Sequence, residues 1–491
     1  MIALTIAELL ELTQGQWFPA SEAGPEDDTP AEISITGDIR IDSRECRPGD
    51  VFLALAGEHA DGHDYAFAAH NAGAVAAVSR LAVPDVPCVV VADPVAALGK
   101  LAAAVLRRLP ELVVIGITGS SGKTSTKDLV GDLLSRYGPT VCPVGSYNND
   151  LGVPLTILRA DSHTRFLVLE MGSRGVGHIA RLTKIARPVI GVILNIGSAH
   201  VGEFGSPGAV ATAKSELVAA LPTAQEGGVA ILNADDPATG YLAGRTAAQV
   251  WTFGSVAGAD VRYEAVDVSD GGRPRFRLSA GGHGVEVALR LVGAHQAANA
   301  AAACAVVLST YARLQPPAQV GFAATGERMA EVSDALAAAR PRSPWRMELT
   351  ERSDHVSILN DAYNANPESM RAALDALIGV AGAGRRSWAV LGGMGELGDL
   401  SRAEHEAVGA EVRRKGVHRL VAVGPEAADI YAGAAGGPAE EEGFVHVPDM
   451  SAALQLLRSQ LRPGDVVLVK ASRFVGLDRL ADALLEEADS T

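Results

Sequence analysis

The middle of the chain is dominated by continuous apolar runs rather than by alternating apolar and polar positions. Each run ends in glycine or in a polar residue. The runs are LVVIGITG, FLVLEMG, VIGVILNIG and GGVAILNADD. Strands that helices cover on both faces have this unbroken apolar pattern. The pattern therefore predicts a mostly parallel sheet, in which ligands bind at the carboxyl ends of the strands.

The same pattern returns after AARPRSPW, a segment whose two prolines in a basic context are typical of a linker. The later runs are VSILNDAY, SWAVLGGM, RLVAVG and DVVLVKAS. They alternate with helical segments and predict a second, Rossmann-like α/β domain. A chain of 491 residues is also too long for one core. We expect an α/β protein of three domains: a small N-terminal domain (residues 1–110), a central domain (111–338) and a C-terminal domain (339–491).

A glycine-turned loop follows the first central strand and ends in Lys-Thr. Its residues are Thr118, Gly119, Ser120, Ser121, Gly122, Lys123 and Thr124. Such a loop directs backbone N–H groups toward a phosphate, and the following helix adds its N-terminal dipole. Lys123 would contact the outer phosphates and Thr124 would bind Mg²⁺. We therefore predict a phosphate loop in the central domain, although the TG-x-x-GKT spacing also occurs in ordinary strand–turn–helix corners.

Charge and cysteine content restrict the class of protein. A net charge of −16 argues against nucleic acid or an anionic membrane as the main partner. No apolar run approaches the length of a membrane span, and the first helical segment carries acids instead of the basic start of a signal peptide. The four cysteines are far apart and lack metal spacing, as in a reducing compartment. We expect a cytoplasmic protein without membrane insertion.

Three further residues are candidates for metal chemistry. Glu170 ends a buried strand, His200 lies in a glycine-rich loop after another strand, and Lys214 lies in a helix as ATAKSELVAAL. A carboxylate beside a phosphate loop is a natural Mg²⁺ ligand. Each residue also has an ordinary interpretation: a strand-end acid that faces water, a surface histidine, and a solvated helix lysine.

Taken together, these segments resemble the Mur ligase family of ATP-dependent amide-bond-forming enzymes over essentially the whole chain. The phosphate loop resembles the family's TGSSGKTS-type loop, and Lys123 would act with Glu170 and His200 in catalysis. The resemblance implies that Lys214 is carbamylated. It also implies that Thr124, Glu170, His200 and Lys214 hold two Mg²⁺ ions.

The resemblance extends to residues expected to contact ATP. GAHQAANAAAA resembles the family's nucleotide-contacting helix, which implies that Asn299 lies near the adenine. WRME places Arg346 where the family has an arginine that reaches the γ-phosphate. NDAYNANPESM resembles a nucleotide-facing motif of the C-terminal domain, which implies ATP contacts by Asp361 and Asn364.

The N-terminal part resembles the family's uridine-nucleotide-binding module. There Ser43 and Arg44 would contact the UDP moiety, although the pair is also compatible with an ordinary turn. YNNDLGVPLTIL resembles the segment that receives the muramyl-peptide end, through Asn148 and Asn149.

The C-terminal motifs resemble those of the family member that adds D-alanyl-D-alanine. The implied substrates are the small molecules UDP-N-acetylmuramoyl-tripeptide and D-Ala-D-Ala, joined through an acyl phosphate in peptidoglycan precursor synthesis by an enzyme that we expect to be a monomer. Alternatives are a diaminopimelate- or lysine-adding ligase, a folylpolyglutamate synthase, and a P-loop ATPase that is not a ligase. The C-terminal domain is expected to close over ATP, hinged near residues 339–344.

Overall fold

The structure is a computed structural model. It describes residues 2–20, 29–57, 60–197, 201–204, 206–314, 326–435 and 443–486. Two compact units are present. The first consists of Met1–Gly116, Tyr137–Met171 and Ala180–Pro188, and the second of Ile117–Arg136, Gly172–Ile179 and Val189–Thr491. His200 lies outside the described residues.

The N-terminal part of the first unit is a small α/β structure. Its elements are β1 (Leu4–Thr5), α1 (Ile6–Thr13), β2 (Gln16–Phe18), β3 (Ser34–Ile35), β4 (Ile39–Arg40), β5 (Val51–Leu53), α2 (Ala66–Asn71), β6 (Ala76–Ser79), β7 (Cys88–Val90) and α3 (Pro94–Arg107). Five strands form a sheet in the order β2-β7-β6-β5-β4, parallel except for β2. Phe52 on β5 is buried in its core. The expectation of an α/β N-terminal segment is confirmed.

The next part of the chain begins with the strand that leads to the phosphate loop. Its elements are β8 (Val113–Thr118), α4 (Lys123–Leu134), β9 (Thr140–Val141), α5 (Gly152–Ile157), β10 (Phe166–Glu170), α6 (His178–Ala186), β11 (Ile190–Ile193), α7 (Val201–Phe204), α8 (Pro207–Ala219), β12 (Val229–Asn233), α9 (Thr239–Ala243), β13 (Gln249–Gly254), β14 (Val261–Asp270), β15 (Arg273–Ala280), β16 (His283–Ala288), α10 (Gln296–Leu314) and α11 (Met329–Ala338). Strand β8 passes from the first unit into the second.

These strands are mostly parallel, as predicted. In the first unit β9 pairs with β10 in parallel. In the second unit β11, β12, β13 and β14 are successive parallel neighbours, whereas β15 and β16 extend the sheet in antiparallel fashion. Every residue of β8, β10 and β11 is buried, which explains the continuous apolar pattern of these strands.

The last part of the second unit is the expected second α/β structure. Its elements are β17 (Glu348–Glu351), β18 (Ser357–Asn360), α12 (Pro367–Ala381), β19 (Ser387–Gly392), α13 (Ser401–Arg414), β20 (Arg419–Val423), α14 (Ala428–Ala435), β21 (Phe444–Val447), α15 (Met450–Gln460), β22 (Val466–Lys470) and α16 (Asp478–Glu486). The sheet order is β17-β18-β22-β19-β20-β21, with all pairs parallel except β17–β18. Separate apolar clusters form on its two faces, one around α12 and α13 and the other around α15 and α16.

The apolar runs predicted the four inner strands of this sheet but not the two edge strands. β17 and β21 are only partly buried, so their sequences lack the continuous apolar pattern on which the prediction depends. The expected mixed α/β class with parallel sheets is confirmed.

The statement that no apolar run approaches the length of a membrane span is wrong for one described helix: α10 has both that length and the apolar composition. Within its most apolar window, 72% of the residues are buried inside the protein, as in a core helix.

Candidate nucleotide-binding site

The phosphate loop (residues 118–124) connects β8 to α4, as the sequence predicted. Its turn depends on Gly122, which has φ 77°. A Cβ atom at this position would lie 2.7 Å from Oδ1 of Asn299. Only glycine therefore combines this backbone conformation with such close packing. Helix α4 begins at Lys123 and directs its N-terminal dipole at the loop.

The chain that follows β11 holds the phosphate loop in place. The backbone N–H of Ser120 donates to the carbonyl of Asn195 (3.1 Å), and that of Ser121 donates to the Asn195 side-chain oxygen (2.9 Å). Gly197 donates its N–H to the hydroxyl of Ser120 (2.8 Å). The loop is thus preorganised by contacts with a neighbouring strand end, which lowers the cost of ordering it around a phosphate.

Lys214 is a buried amine and not the solvated helix lysine that its sequence alone would favour. Its side chain lies on α8, and the residue is only 2% exposed. Burial, and to a lesser extent the positive charge of Lys123, together lower the pKa of Lys214 to about 7. Lys123 in turn donates to the carbonyl of Gly119 in the phosphate loop (2.7 Å). At neutral pH a substantial fraction of the Lys214 amine is therefore uncharged and nucleophilic.

Arg346 approaches the phosphate loop from the chain segment that precedes β17. Its Nη2 donates to the hydroxyl of Thr124 (3.2 Å), and its guanidinium carbon lies 4.1 Å from the centre of the Tyr363 ring. The side-chain nitrogen of Asn366, at the start of α12, also donates to the carbonyl of Ser120 (3.4 Å). The segments carrying Arg346 and Asn366 thus both reach the loop, and Arg346 adds a cation beside it.

Asn299, the residue expected near the adenine, is buried on α10. Its Oδ1 accepts from the hydroxyl of Thr126 (3.2 Å), and its Nδ2 donates to Gln296 (2.9 Å). A small, shallow cleft lies beside Gln296. Its lining combines the apolar Leu129 and Leu291 with the polar Gln296 and Arg346, and the contact of Asn299 with adenine stays a prediction.

Asp361 is engaged inside the protein. Its Oδ2 forms a buried ion pair with Lys470 (2.6 Å), and its Oδ1 accepts from the backbone N–H of Met347 (3.1 Å). The side chain of Asn364 accepts from the N–H of Ala365 (2.9 Å), and its carbonyl accepts from Lys470 (2.8 Å). Both residues therefore organise the loop after β18, and their predicted contacts with ATP stay predictions.

In the first unit, Glu170 is not the water-facing acid of its ordinary interpretation. It is 1% exposed at the end of β10, and its carboxylate accepts a hydrogen bond from Nδ2 of Asn148 (2.8 Å). The side-chain oxygen of Asn149 accepts from the N–H groups of Leu151 and Gly152, where α5 begins. Asn148, a predicted substrate residue, thus contacts Glu170, a predicted metal ligand, and both roles stay predictions.

Ser43 and Arg44 form a short turn in the first unit. Arg44 is exposed and forms an ion pair with Asp42 (2.6 Å). Hydrogen bonds from Arg44 lower the pKa of Asp42 to about 2. The guanidinium is accessible to a ligand, but a phosphate would have to share it with this carboxylate.

Sequence reasoning missed several residues that support the site. Lys127 is buried on α4, forms an ion pair with Asp128 (2.5 Å) and donates to Ser343 (3.4 Å). Lys470 and Tyr363 were not singled out either. The only available signal for Lys470 was its position at the end of the apolar run DVVLVK, where ligand-side residues are expected.

The side chains near the phosphate loop suit a magnesium ion that shares its ligands with a substrate better than a metal that only protein side chains coordinate. Among the described residues, no group of three or more His, Cys, Asp or Glu side chains is placed to hold a metal. Mg²⁺ keeps several waters and binds through few protein ligands together with substrate phosphates. The Thr124 hydroxyl, buried at the start of α4, matches that mode of binding.

A preorganised glycine loop between a parallel strand and a helix, with cations around it, defines a nucleotide-binding α/β protein of the P-loop class. Comparison with known families specifies it further. Three family models match the chain: Mur ligase family, catalytic domain (residues 37–105), Mur ligase middle domain (117–307) and Mur ligase, glutamate ligase domain (345–473). The chain belongs to the Mur ligase family.

Individual relatives match over the full length. The UDP-N-acetylmuramoyl-tripeptide–D-alanyl-D-alanine ligase of Mycobacterium bovis is 44% identical, over 100% of this chain and 99% of the relative. A crystal structure of MurF from Acinetobacter baumannii matches with a TM-score of 0.82 and 32% identity, over 99% of both chains. MurF ligase from Thermotoga maritima in complex with ADP matches with a TM-score of 0.75 and 29% identity, over 93% of this chain and 99% of that one.

The lowered pKa of Lys214 predicts a stabilising substitution. Below pH 7 the amine is charged in both the folded and the unfolded state, so the folded state bears the full cost of a buried charge. That cost decreases as the pH rises from about 7 toward the ordinary value of 10.5. In buffer free of CO₂, we expect Lys214→Met to raise the free energy of unfolding by about 1–3 kcal/mol at pH 6.

The measurement is thermal and denaturant unfolding of both proteins at pH 6 and pH 9.5, where the difference should shrink. A Lys214→Met protein less stable than the parent at pH 6 would contradict the buried, repelled amine.

Proposed function

We propose that this chain is an ATP-dependent ligase that joins D-Ala-D-Ala to UDP-N-acetylmuramoyl-tripeptide in peptidoglycan precursor synthesis. The observation that carries the proposal is the 44% identity, over the whole chain, to a ligase named for this reaction. The geometry independently supports the use of a nucleoside triphosphate. A phosphate loop, the cations Lys123 and Arg346, and the buried amine of Lys214 lie in one compact unit.

The proposed chemistry brings anions together. A carboxylate oxygen of the tripeptide attacks the γ-phosphorus of ATP, ADP leaves, and an acyl phosphate forms. The amine of D-Ala-D-Ala then attacks the acyl carbon, phosphate leaves, and the nitrogen loses a proton. Lys123 and Arg346 would offset the repulsion between carboxylate and γ-phosphate and stabilise the charge that develops in transfer.

Lys214 is proposed to act as a carbamate. An uncharged amine adds to CO₂ and loses a proton, which turns a buried cation into an anion with two oxygens. Burial keeps the amine uncharged, as addition to CO₂ requires, and the positive charge of Lys123 would stabilise the anion that forms. The Thr124 hydroxyl and this carbamate would hold magnesium, which supplies charge neutralisation at the phosphates when bound. Roles for Glu170 and His200 as further ligands stay predictions.

The remaining ligand contacts are proposed from the position of the residues. The cleft beside Gln296 and Leu129 would take the adenosine end of ATP. In the first unit, Ser43 and Arg44 would bind the UDP moiety, and Asn148 would bind the muramyl-peptide end. Cytoplasmic location follows from these substrates and agrees with four cysteines that are all free. The monomeric state stays a prediction.

Other Mur-type ligases, folylpolyglutamate synthase and an ATPase without ligase activity are the competing functions. A discriminating measurement is phosphate release from ATP with each substrate alone and with both. We expect stimulation of at least about 100-fold only when UDP-N-acetylmuramoyl-tripeptide and D-Ala-D-Ala are both present.

Equal release without acceptor would support an ATPase. Stimulation by diaminopimelate or lysine with the dipeptide precursor, or by glutamate with a folate, would support one of the other ligases. A mass spectrum of the UDP-linked product identifies the bond that forms.

The carbamate proposal predicts chemical rescue. Lys214→Ala should lower kcat by at least about 1,000-fold, because the buried anion and its charge are lost. A short carboxylic acid such as acetate should restore part of the activity by occupying the vacated space. Lys184→Ala, which removes an exposed helix lysine on α6, is the matched control and should retain full activity.

Loss of activity without rescue would leave Lys214 essential but not as a carboxylate-like group. Unchanged activity in Lys214→Ala would remove it from the mechanism. Mass spectrometry of wild-type protein in ¹³C-bicarbonate, after chemical trapping of the carbamate, tests the modification directly.

Domain closure over the nucleotide is the second part of the proposal. Within the second unit, the N–H of Gly202 donates to the carbonyl of Glu396 (3.1 Å), and a Cβ on Gly202 would overlap the backbone of Gly398. The approach is backbone to backbone, so glycine is needed at the contact. We call this pair of segments the closure contact.

The expected hinge segment is attached to α4. The N–H of Ser343 donates to Asp128 (3.2 Å), and Arg342 forms an ion pair with Asp132. Trp345 and Met347, just beyond, both have left-handed backbone conformations, with φ 58° and 51°. The hinge near residues 339–344 stays a prediction.

Closure predicts a specific effect of one methyl group. Gly202→Ala should lower kcat by about tenfold or more, since the added Cβ obstructs the closure contact, and should leave ADP affinity within about twofold. Gly240→Ala is the control, because a Cβ at this α9 position meets no atom within 4 Å.

Small-angle scattering supplies the structural readout. Wild type should become more compact with an ATP analogue and both substrates, whereas Gly202→Ala should not. Identical compactness of the wild type with and without ligands would sink the closure proposal.

A further inference from the structure

Arg346 lies in an unusual stretch of backbone. The residues on both sides of it, Trp345 and Met347, have positive φ angles that non-glycine residues rarely adopt. Each is held by a carboxylate: the N–H of Trp345 donates to Glu348 (3.2 Å), and the N–H of Met347 donates to Asp361 (3.1 Å). Such a conformation persists only where the surroundings enforce it.

The carboxylate that holds Met347 is itself fixed. Asp361 and Lys470 are both buried and lie 2.6 Å apart. Because a buried carboxylate and a buried amine need each other, neither can move without leaving an uncompensated charge. The backbone on the C-terminal side of Arg346 is therefore tied to the sheet of the C-terminal segment through β22.

The side chain of Arg346 is held by an aromatic ring. Its guanidinium carbon lies 4.1 Å from the centre of the Tyr363 ring, a distance typical of a cation–π contact. The Trp345 ring stacks against the same Tyr363 ring, with ring centroids 6.5 Å apart and an interplanar angle of 26°. The far end of Arg346 reaches Thr124 at 3.2 Å. An arginine side chain has much rotamer freedom, and the ring restricts it to orientations that face the phosphate loop.

We propose that Tyr363 is a positioning residue that fixes the guanidinium of Arg346 at the phosphate loop. The inference rests on the proposed function, since it supplies the γ-phosphate that Arg346 would meet. It assigns the aromatic ring of the DAYNANP motif an electrostatic task on a side chain, separate from any contact with ATP. The ring and not the hydroxyl carries the effect, so phenylalanine should substitute for tyrosine.

The test compares Tyr363→Phe with Tyr363→Leu. We expect Tyr363→Phe to keep kcat within about threefold, and Tyr363→Leu to lower it by about tenfold or more with a smaller change in KM for ATP. ADP affinity should stay within about twofold in both, because ADP lacks the phosphate that Arg346 contacts. Tyr311→Leu is the matched control: it removes another arginine-bearing ring, 4.5 Å from the guanidinium carbon of Arg328, and should leave kcat unchanged.

A double-mutant cycle separates Arg346 from Arg473, whose guanidinium carbon also lies near the Tyr363 ring (5.3 Å). If Tyr363 acts through Arg346, Tyr363→Leu should have little further effect in an Arg346→Leu background. Full additivity of the two substitutions would overturn the proposal. So would equal kcat values for Tyr363→Leu and wild type, or equal losses in the leucine and phenylalanine variants.

Binding measurements keep the inference testable without turnover. The ratio of affinities for a non-hydrolysable ATP analogue and for ADP should fall in Tyr363→Leu and not in Tyr363→Phe, and an unchanged ratio in Tyr363→Leu would overturn the proposal. If the wild type forms no ligation product, the proposed function fails, while this ratio still decides the role of Tyr363. Melting temperatures within about 2 °C of wild type would show that the variants are folded.

Discussion

A buried amine beside a second cation is the constraint on which the site depends. Lys214 is almost fully removed from water, and the positive charge of Lys123 on the phosphate loop repels a charged Lys214 amine. A folded protein accepts that arrangement only if the amine is uncharged or an anion compensates it. The chain as a whole carries a net charge of −16, so the concentration of cations at the loop is a local feature. It makes the loop attractive to phosphate and makes the Lys214 amine reactive at the same time.

Rigid support lets those charges act on a ligand. Asn195 fixes the backbone of Ser120 and Ser121, and Arg346 reaches Thr124 from the C-terminal segment. Donors held in advance stabilise developing charge without first reorganising, which is where most electrostatic catalysis originates. The closure contact has the same character, because two backbones meet there without a side chain between them. A water-poor site of this kind would also protect an acyl phosphate from hydrolysis.

The sequence predicted the parts of the molecule that depend on local pattern. Strands such as Phe166–Glu170 and Ile190–Ile193 are buried along their whole length, and burial of this kind produces a continuous apolar run in the sequence. The phosphate loop could be found because its glycines and its Lys-Thr are adjacent in the chain. The edge strand Glu348–Glu351 could not, since a partly exposed strand pairs through its backbone and leaves little mark on side-chain composition. Domain boundaries and the ligand contacts of the first unit stay predictions.

Asp361 shows why part of a site cannot be predicted from motifs alone. An aspartate just after a buried strand is equally suited to contact a ligand or to neutralise a buried cation, and both uses place it at the same sheet edge. What distinguishes them is Lys470, which lies 109 residues further along the chain and reaches Asp361 only because β18 and β22 are parallel neighbours. The ion pair then fixes Met347, and Met347 adjoins Arg346. Asp361 therefore holds the backbone next to Arg346. This contact depends on a residue distant in the sequence, so the motif alone could not predict it, and the predicted contact of Asp361 with ATP stays a prediction.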